Sequence, residues 1–333
     1  MRRSRGRRKL GYDHLHTGFP THKAQAIMFS NGSSQPHLPA DPADNAPRPV
    51  VLFTNDDGIA SPGLWATVEA FSQVCEPLVV APRDQQSGTG RSLPRTSEGR
   101  IFAEERVIGG RTVKVYAVDG TPAQAVQHGV LELADRLPAL VVSGINYGDN
   151  LGNGVTISGT VGAAIEAASL GIPALALSQS MSQDLHLSYS TDVDFVPAAQ
   201  FSARVGVWMM SSRRPDDVDI LKIDFPVDPT ADTPWRTTRL SRRRVYWPTR
   251  PERLTLDEIG RLGYMYKADP SQAEPDSDVY AVLHERVISV TPMSLDMTSR
   301  TDPFRLEQML RGRGEHGSVI PAEILRRVLK ENE

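Results

Sequence analysis

The sequence predicts an α/β fold: a parallel sheet covered by helices on both faces. Short, fully apolar runs such as Val50-Val51-Leu52-Phe53, Leu78-Val79-Val80-Ala81 and Leu140-Val141-Val142 have the length and β-branched content of buried strands. Segments with helical periodicity separate them, and alternation of this kind is the pattern of a parallel sheet with two covered faces. Each run also stops abruptly in a loop rich in Asp, Asn, Ser or Gly.

The first strand ends at Thr54-Asn55-Asp56-Asp57-Gly58. Ser61-Pro62 then makes a helix start, a capping hydroxyl followed by proline at the first helical position. Leu64, Trp65, Val68, Phe71 and Cys75 recur at helical spacing and define one buried face. After the strand at 78–81 comes a polar loop over 82–96. Runs around Ile101–Val107 and Thr112–Val118 flank Gly109-Gly110 and predict a β-hairpin. Thr121-Pro122 opens a helix to about Leu133, and the strand at 140–142 ends in Ser143-Gly144-Ile145-Asn146. A Gly/Asn-rich loop leads to a small-residue helix over 160–169, which Gly171 can terminate, and Pro173–Ser178 returns as a strand. A helix near 194–210 precedes a strand over 218–225. Beyond it the pattern weakens: 226–278 is rich in Pro, Arg and Asp. Val279–Leu283 and Val287–Val290 read as strands, Phe304–Leu310 and Ala322–Leu329 as helices. The expected organisation is a domain over 49–333, with a core at 50–225 and an irregular extension at 226–333 that contains β-hairpin segments and serves substrate enclosure or oligomer contacts.

The chain has 333 residues and a formal net charge of −3. Residues 1–48 hold eight Lys/Arg against three Asp/Glu, whereas the remainder holds 29 against 37. The low hydrophobicity of this basic segment and its Pro/Asp/Ala-rich end predict a disordered extension. An acidic body makes nucleic-acid binding an unlikely function. No apolar stretch approaches the ~18 residues of a membrane span. The single cysteine, Cys75, excludes an intramolecular disulfide and a Cys-based zinc cluster, consistent with a cytoplasmic protein.

Chemistry concentrates at the strand ends. Asp56 and Asp57 read either as an Asp-Asp-Gly turn or as an acidic pair that needs a cation, since neighbouring anions repel. In a parallel sheet the loops after the strands at 50–54, 78–81 and 140–142 open on one edge, where α/β folds bind ligands. They bring together Asp56, Asp57, Ser87, Asn146 and Asn150 with Ser158-Gly159-Thr160, which opens a helix. An all-oxygen donor set suits Mg²⁺ or Mn²⁺ better than zinc. A Gly/Ser/Thr-rich helix start is an anion site, although Ser158 and Thr160 also serve as ordinary helix caps. Metal plus anion site points to a phosphate ester. There is no Gly-x-Ser-x-Gly elbow, no Walker A lysine, and no glycine fingerprint after the first strand. His128 reads as a packed or surface histidine. Arg242-Arg243-Arg244 with Tyr246 and Trp247 reads as a solvated basic segment or a base-stacking patch.

The motifs Thr-Asn-Asp-Asp-Gly-Ile-Ala-Ser-Pro-Gly (54–63), Val-Val-Ala-Pro-Arg-Asp-Gln-Gln-Ser-Gly (79–88), Gly-Thr-Pro (120–122), Val-Val-Ser-Gly-Ile-Asn-Tyr-Gly-Asp-Asn-Leu-Gly (141–152) and Ser-Gly-Thr-Val-Gly-Ala-Ala (158–164) occur in order. Together with Ser289-Val290-Thr291-Pro292 they resemble the SurE family of 5′/3′-nucleotidases. The resemblance implies a Rossmann-like three-layer core with one divalent metal ion per subunit, held by Asp56, Asp57, Ser87 and Asn146. It places Asn55, Asn150, Ser158, Gly159 and Thr160 around the phosphate and gives Asp56 and Asp57 the catalytic role. It further implies a nucleoside monophosphate or other small phosphate ester as substrate, a homodimer or homotetramer, and no membrane partner. The chain departs from the family pattern at Pro94, Gln124, Ala125, Asn153, Gly154 and Ile157. The expected function is therefore a metal-dependent phosphomonoesterase acting on nucleoside 5′-monophosphates, with 3′-monophosphates left open as substrates; the alternative is a non-catalytic nucleotide- or phosphate-binding module on the same fold.

Overall fold

The computed structural model describes residues 47–182, 185, 190 and 192–311. The expectations for residues 1–46 and for a helix at 322–329 lie outside the described residues. In chain order the elements are β1 (Val50–Thr54), α1 (Pro62–Phe71), β2 (Glu76–Pro82), β3 (Ile101–Ile108), β4 (Arg111–Val118), α2 (Pro122–His128), β5 (Leu140–Tyr147), α3 (Gly159–Ser169) and β6 (Ala174–Gln179). Then come α4 (Val196–Ser211), β7 (Ile220–Phe225), β8 (Trp235–Thr237), β9 (Tyr246–Thr249), β10 (Gly263–Tyr266), α5 (Asp278–Tyr280), β11 (Ile288–Met293) and α6 (Pro303–Leu310).

Among the described residues the main sheet has the order β3-β4-β2-β1-β5-β6-β7-β11-β8, and β9 pairs with β10 apart from it. Neighbours from β4 through β7 run parallel; β3 and β11 are antiparallel additions. The extension beyond residue 225 therefore supplies two strands, β11 and β8, to the same sheet. The central strands bury both faces because their residues alternate between two helical layers. Val51 and Phe53 of β1 pack with Leu64, Val68 and Phe71 of α1 and with α4. Leu52, between them, packs with Val126 of α2 and the alanine-rich face of α3. Full burial of a side chain such as Phe53 contributes about 1.5–3 kcal/mol. Small residues let the layers close: a Cβ on Gly129 would lie 2.3 Å from Leu52 Cδ1, and one on Gly206 would lie 2.4 Å from Phe71.

Most of the expected elements form, and four details differ. Ser61 occupies the N-cap of α1, but its hydroxyl makes no capping bond and is buried without a partner. Cys75 lies past the end of α1 and is still buried; burial pushes its thiol up to about 12. The helix expected to reach Leu133 ends at His128 and widens into a π-helical turn over Gly129–Leu133. The run Val279–Leu283 is helical, as α5 followed by a π-helical turn over Ala281–Glu285. Ser277 decides that last case: its hydroxyl accepts from the Tyr280 N–H and starts the turn.

Candidate metal and phosphate site

Strand order changes direction at β1. The connection through α1 carries the chain to β2 on one side, and β5 lies on the other. The carboxyl ends of β1 and β5 therefore border a switch-point crevice, where α/β sheets place their ligands. Asp56 and Asp57 follow β1, and Asn146 lies near the end of β5.

Both aspartates are buried, Asp56 at 4% exposure and Asp57 at 1%. Asn55 shapes their turn: its amide donates to the Gly58 carbonyl at 2.9 Å and accepts from the Gly58 N–H at 3.2 Å. Gly58 has φ +97°, a conformation that favours glycine. The turn of the notional Asp-Asp-Gly type is thus present, and it carries the carboxylates inward. Asp56 accepts a short hydrogen bond from Thr160 Oγ1, and the backbone N–H groups of Gly159 and Thr160 also point at it. A Cβ on Gly159 would come 2.7 Å from Asp56 Cβ, so only glycine permits this approach. Asp57 accepts from Tyr147 N at 3.1 Å and from Gln85 Nε2 at 3.3 Å. Burial raises the Asp56 carboxyl to about 6 against the favourable bonds from α3. Burial and the neighbouring Asp56 charge hold Asp57 well above the usual carboxylate range.

A buried acidic pair of this kind calls for positive charge. Among the described residues no lysine, arginine or histidine forms an ion pair with Asp56. Nor do the described residues contain a group of three or more His, Cys, Asp or Glu placed to hold a metal ion. Two carboxylates with amide and hydroxyl oxygens close by fit a hard divalent cation rather than zinc.

The remaining expected residues fall into two groups. Ser87 is exposed on the loop after β2, one residue beyond Gln86, whose N–H donates to the Asp56 carbonyl at 2.7 Å. Asn146 is half-buried, and its amide donates to the Gly148 carbonyl at 2.8 Å. Asn150 donates through Nδ2 to Ser178 Oγ at 2.6 Å. Ser158 caps α3, accepting from Val161 N at 3.1 Å. The loop after β2 rests on α3 with no side chain between them, since a Cβ on Gly162 would meet the Gly90 carbonyl at 2.3 Å. Two of the departures from the family pattern meet here: Gln124 Nε2 donates to the Pro94 carbonyl at 3.0 Å. Outside this crevice, His128 pairs with Glu132, and Arg242, Arg243 and Arg244 are exposed, with the Arg244 guanidinium 5.8 Å from the Trp247 ring.

The sequence reading missed a second set of buried charges behind the site. Asp149 accepts from Ser180 Oγ at 3.1 Å, from the Tyr246 hydroxyl at 3.1 Å and from the Tyr266 hydroxyl at 3.2 Å. Burial, helped by Asp224, raises its carboxyl to about 6. Lys222 and Asp224 form an ion pair on β7, and Asp278 lies 3.1 Å from the Lys222 ammonium; all three side chains are fully buried. Burial alone would lower the Lys222 pKa, but the two carboxylates hold it above its ordinary value. The available signal was a lysine and an aspartate two residues apart in Ile-Leu-Lys-Ile-Asp-Phe, a run otherwise fit for a covered strand.

Fold and site together define an α/β protein with an acidic, cation-seeking crevice at a sheet switch point, next to a helix N-terminus. The model of the family described as Survival protein SurE matches residues 51–246. A 5′-nucleotidase SurE from Thermococcus gammatolerans is 40% identical over 263 residues, covering 79% of this chain and 96% of its own length. Another from Methanocella arvoryzae is 38% identical over 266 residues, covering 78% and 97%. The crystal structure of SurE from Aquifex aeolicus superposes with a TM-score of 0.61 at 30% identity, covering 79% of this chain and 98% of that one. This chain belongs to the SurE family.

Proposed function

We propose that the protein is a divalent-metal-dependent phosphomonoesterase that hydrolyses nucleoside 5′-monophosphates to nucleoside and phosphate. The observation that carries this reading is the buried Asp56-Asp57 pair set against the N-terminus of α3. The names of the relatives, 5′-nucleotidase, agree with it.

Asp56, Asp57, Ser87 and Asn146 would hold one Mg²⁺ or Mn²⁺. When bound, the ion supplies Lewis acidity towards the phosphoryl oxygens and the attacking water. Thr160 and the α3 N–H groups fix the Asp56 carboxylate in one orientation, and Tyr147 N and Gln85 do the same for Asp57. One aspartate of the pair orients the water. Asn55, Asn150, Ser158, Gly159 and Thr160 frame the phosphate, where the partial positive charge of the helix start favours an anion. The reaction is phosphoryl transfer to water, in which positioning and charge stabilisation supply most of the catalysis.

The test is phosphate release from a panel of 5′- and 3′-nucleotides with Mn²⁺ or Mg²⁺, with and without chelator. Turnover that needs the metal and falls at least about a hundredfold in Asp56→Asn is the expected result. Tight nucleotide binding with no turnover would instead identify a binding module. The same reading makes the protein a homodimer or homotetramer that works in the cytoplasm.

A further inference from the structure

The buried charges on β7 touch the candidate site at one residue, Asn150. Its N–H donates to Asp224 Oδ1 at 2.9 Å, and its carbonyl accepts from Lys222 Nζ at 3.0 Å. Its side-chain amide donates to Ser178 Oγ on β6 at 2.6 Å. Three polar atoms of one residue are thus held by side chains from two neighbouring strands. Two positions further along the loop, the Gly152 N–H donates to Asp278 Oδ2 at 3.0 Å. Asp278 in turn accepts from the backbone N–H groups of Ser241 and Val279, at 2.9 and 2.8 Å, so it is satisfied independently of Lys222.

Stability does not account for this arrangement. Replacing a fully buried ion pair by apolar residues of similar volume is often neutral or stabilising, because desolvation costs as much as the charges gain. What charges with fixed hydrogen-bonding directions provide, and an apolar patch does not, is a single backbone position for the loop they hold. The held loop is the one that follows β5 and carries Asn150.

We propose that Lys222 and Asp224, backed by Asp278, are positioning residues: they fix the backbone of Asn150 and thereby aim the 148–152 loop at the phosphate. The inference rests on the reading of Asn150 as a phosphate ligand. Neither Lys222 nor Asp224 touches substrate in this account. Both act through Asn150, and displacing a positioned group by about 1 Å costs on the order of a hundredfold in rate.

Two charge-balanced pairs of substitutions test it in the full chain. Lys222→Met with Asp224→Leu removes both ties to the Asn150 backbone. Lys222→Met with Asp224→Asn restores a carbonyl acceptor for the Asn150 N–H. Thermal melting establishes that each is folded, and steady-state hydrolysis of a nucleoside monophosphate with Mn²⁺ separates kcat from KM. The Leu pair is expected to lose about ten- to a hundredfold in kcat with KM little changed. The Asn pair should regain most of that loss at a similar melting temperature. Equal kcat in the two folded pairs overturns the proposal, as does a kcat for the Leu pair equal to that of wild type. Should the Leu pair not fold, the Asn pair is compared with wild type: it lacks the Lys222 tie to the Asn150 carbonyl and keeps an acceptor for the Asn150 N–H. A several-fold fall in its kcat supports the proposal, and an unchanged kcat overturns it. A wild-type protein that turns over no nucleotide defeats the phosphatase reading instead, so the two failures are distinct.

Discussion

At the scale of single residues, the site is organised by what burial does to carboxylates. Asp149 ionises near 3.8 in an unfolded chain and near 6 in the fold, because burial and the neighbouring Asp224 disfavour its charged form. Between these values the folded state holds a proton that the unfolded state has lost, so this group's effect on stability worsens as pH rises from about 4 to about 6 and is fully unfavourable above that. The two-unit shift sets a ceiling of about 3 kcal/mol on the penalty. Asp149→Asn removes the ionisation, and its three hydroxyl partners can rotate to serve an amide. Urea unfolding at pH 4.5 and 7.5 is expected to show the variant gaining on wild type by 1 kcal/mol or more at the higher pH. A pH-independent difference would show that Asp149 is not the source. The adjacent aspartates were legible as a charge problem, but the role of their neighbours was not. Asn55 closes the turn, and Gly159 exists so that Asp56 can come within 2.7 Å of where a Cβ would be. Neither fact follows from residue type, because each depends on a backbone approach made only in three dimensions.

Elements were legible where their burial pattern was uniform. The strands β1, β2, β5 and β6 are covered on both faces, and their continuous apolar runs said so. The run Val279–Leu283 was misread because five apolar residues fit a buried strand or a buried helix equally well; the Ser277 cap carried the decisive information. Thr121 shows a cap that was read as intended. Its hydroxyl accepts from Gln124 N at 3.2 Å while Gln124 Oε1 accepts from Thr121 N at 3.0 Å, a reciprocal capping box. The same hydroxyl donates to the Ser92 carbonyl at 2.7 Å, tying the loop after β2 to α2. Thr121→Ala is therefore expected to cost about 1–2 kcal/mol. A lowered urea midpoint at constant m-value would establish it, and an unchanged midpoint would refute it.

On the scale of the whole molecule, the connection between β9 and β10 exposes a run of large apolar side chains. Between β9 and β10, Leu254, Leu256, Ile259 and Leu262 are 95%, 88%, 83% and 74% exposed. Scattered single hydrophobics are ordinary on a surface, but a cluster in one connection fits a subunit contact. The proposed homo-oligomer predicts a light-scattering mass of two or four chains, and substitution of Leu254, Leu256 and Ile259 by Lys should shift it towards one. A monomeric wild-type protein would remove the reading. The sequence held little of this, because a segment that buries itself against another chain leaves no periodicity within its own. It likewise did not show which residue of the extension meets the loop after β5, since Asp278 reaches Gly152 across 126 positions. That span has a consequence for the order in which the protein is made. On a ribosome the strand bearing Asn146 emerges long before β7, and β7 before α5. A nascent chain ending near Phe225 carries Lys222 and Asp224, a neutral pair, but lacks Asp278, which holds the Gly152 N–H. The crevice is thus among the last parts of the molecule to acquire its native form, because the carboxylate that fixes Gly152 arrives only with the final hundred residues.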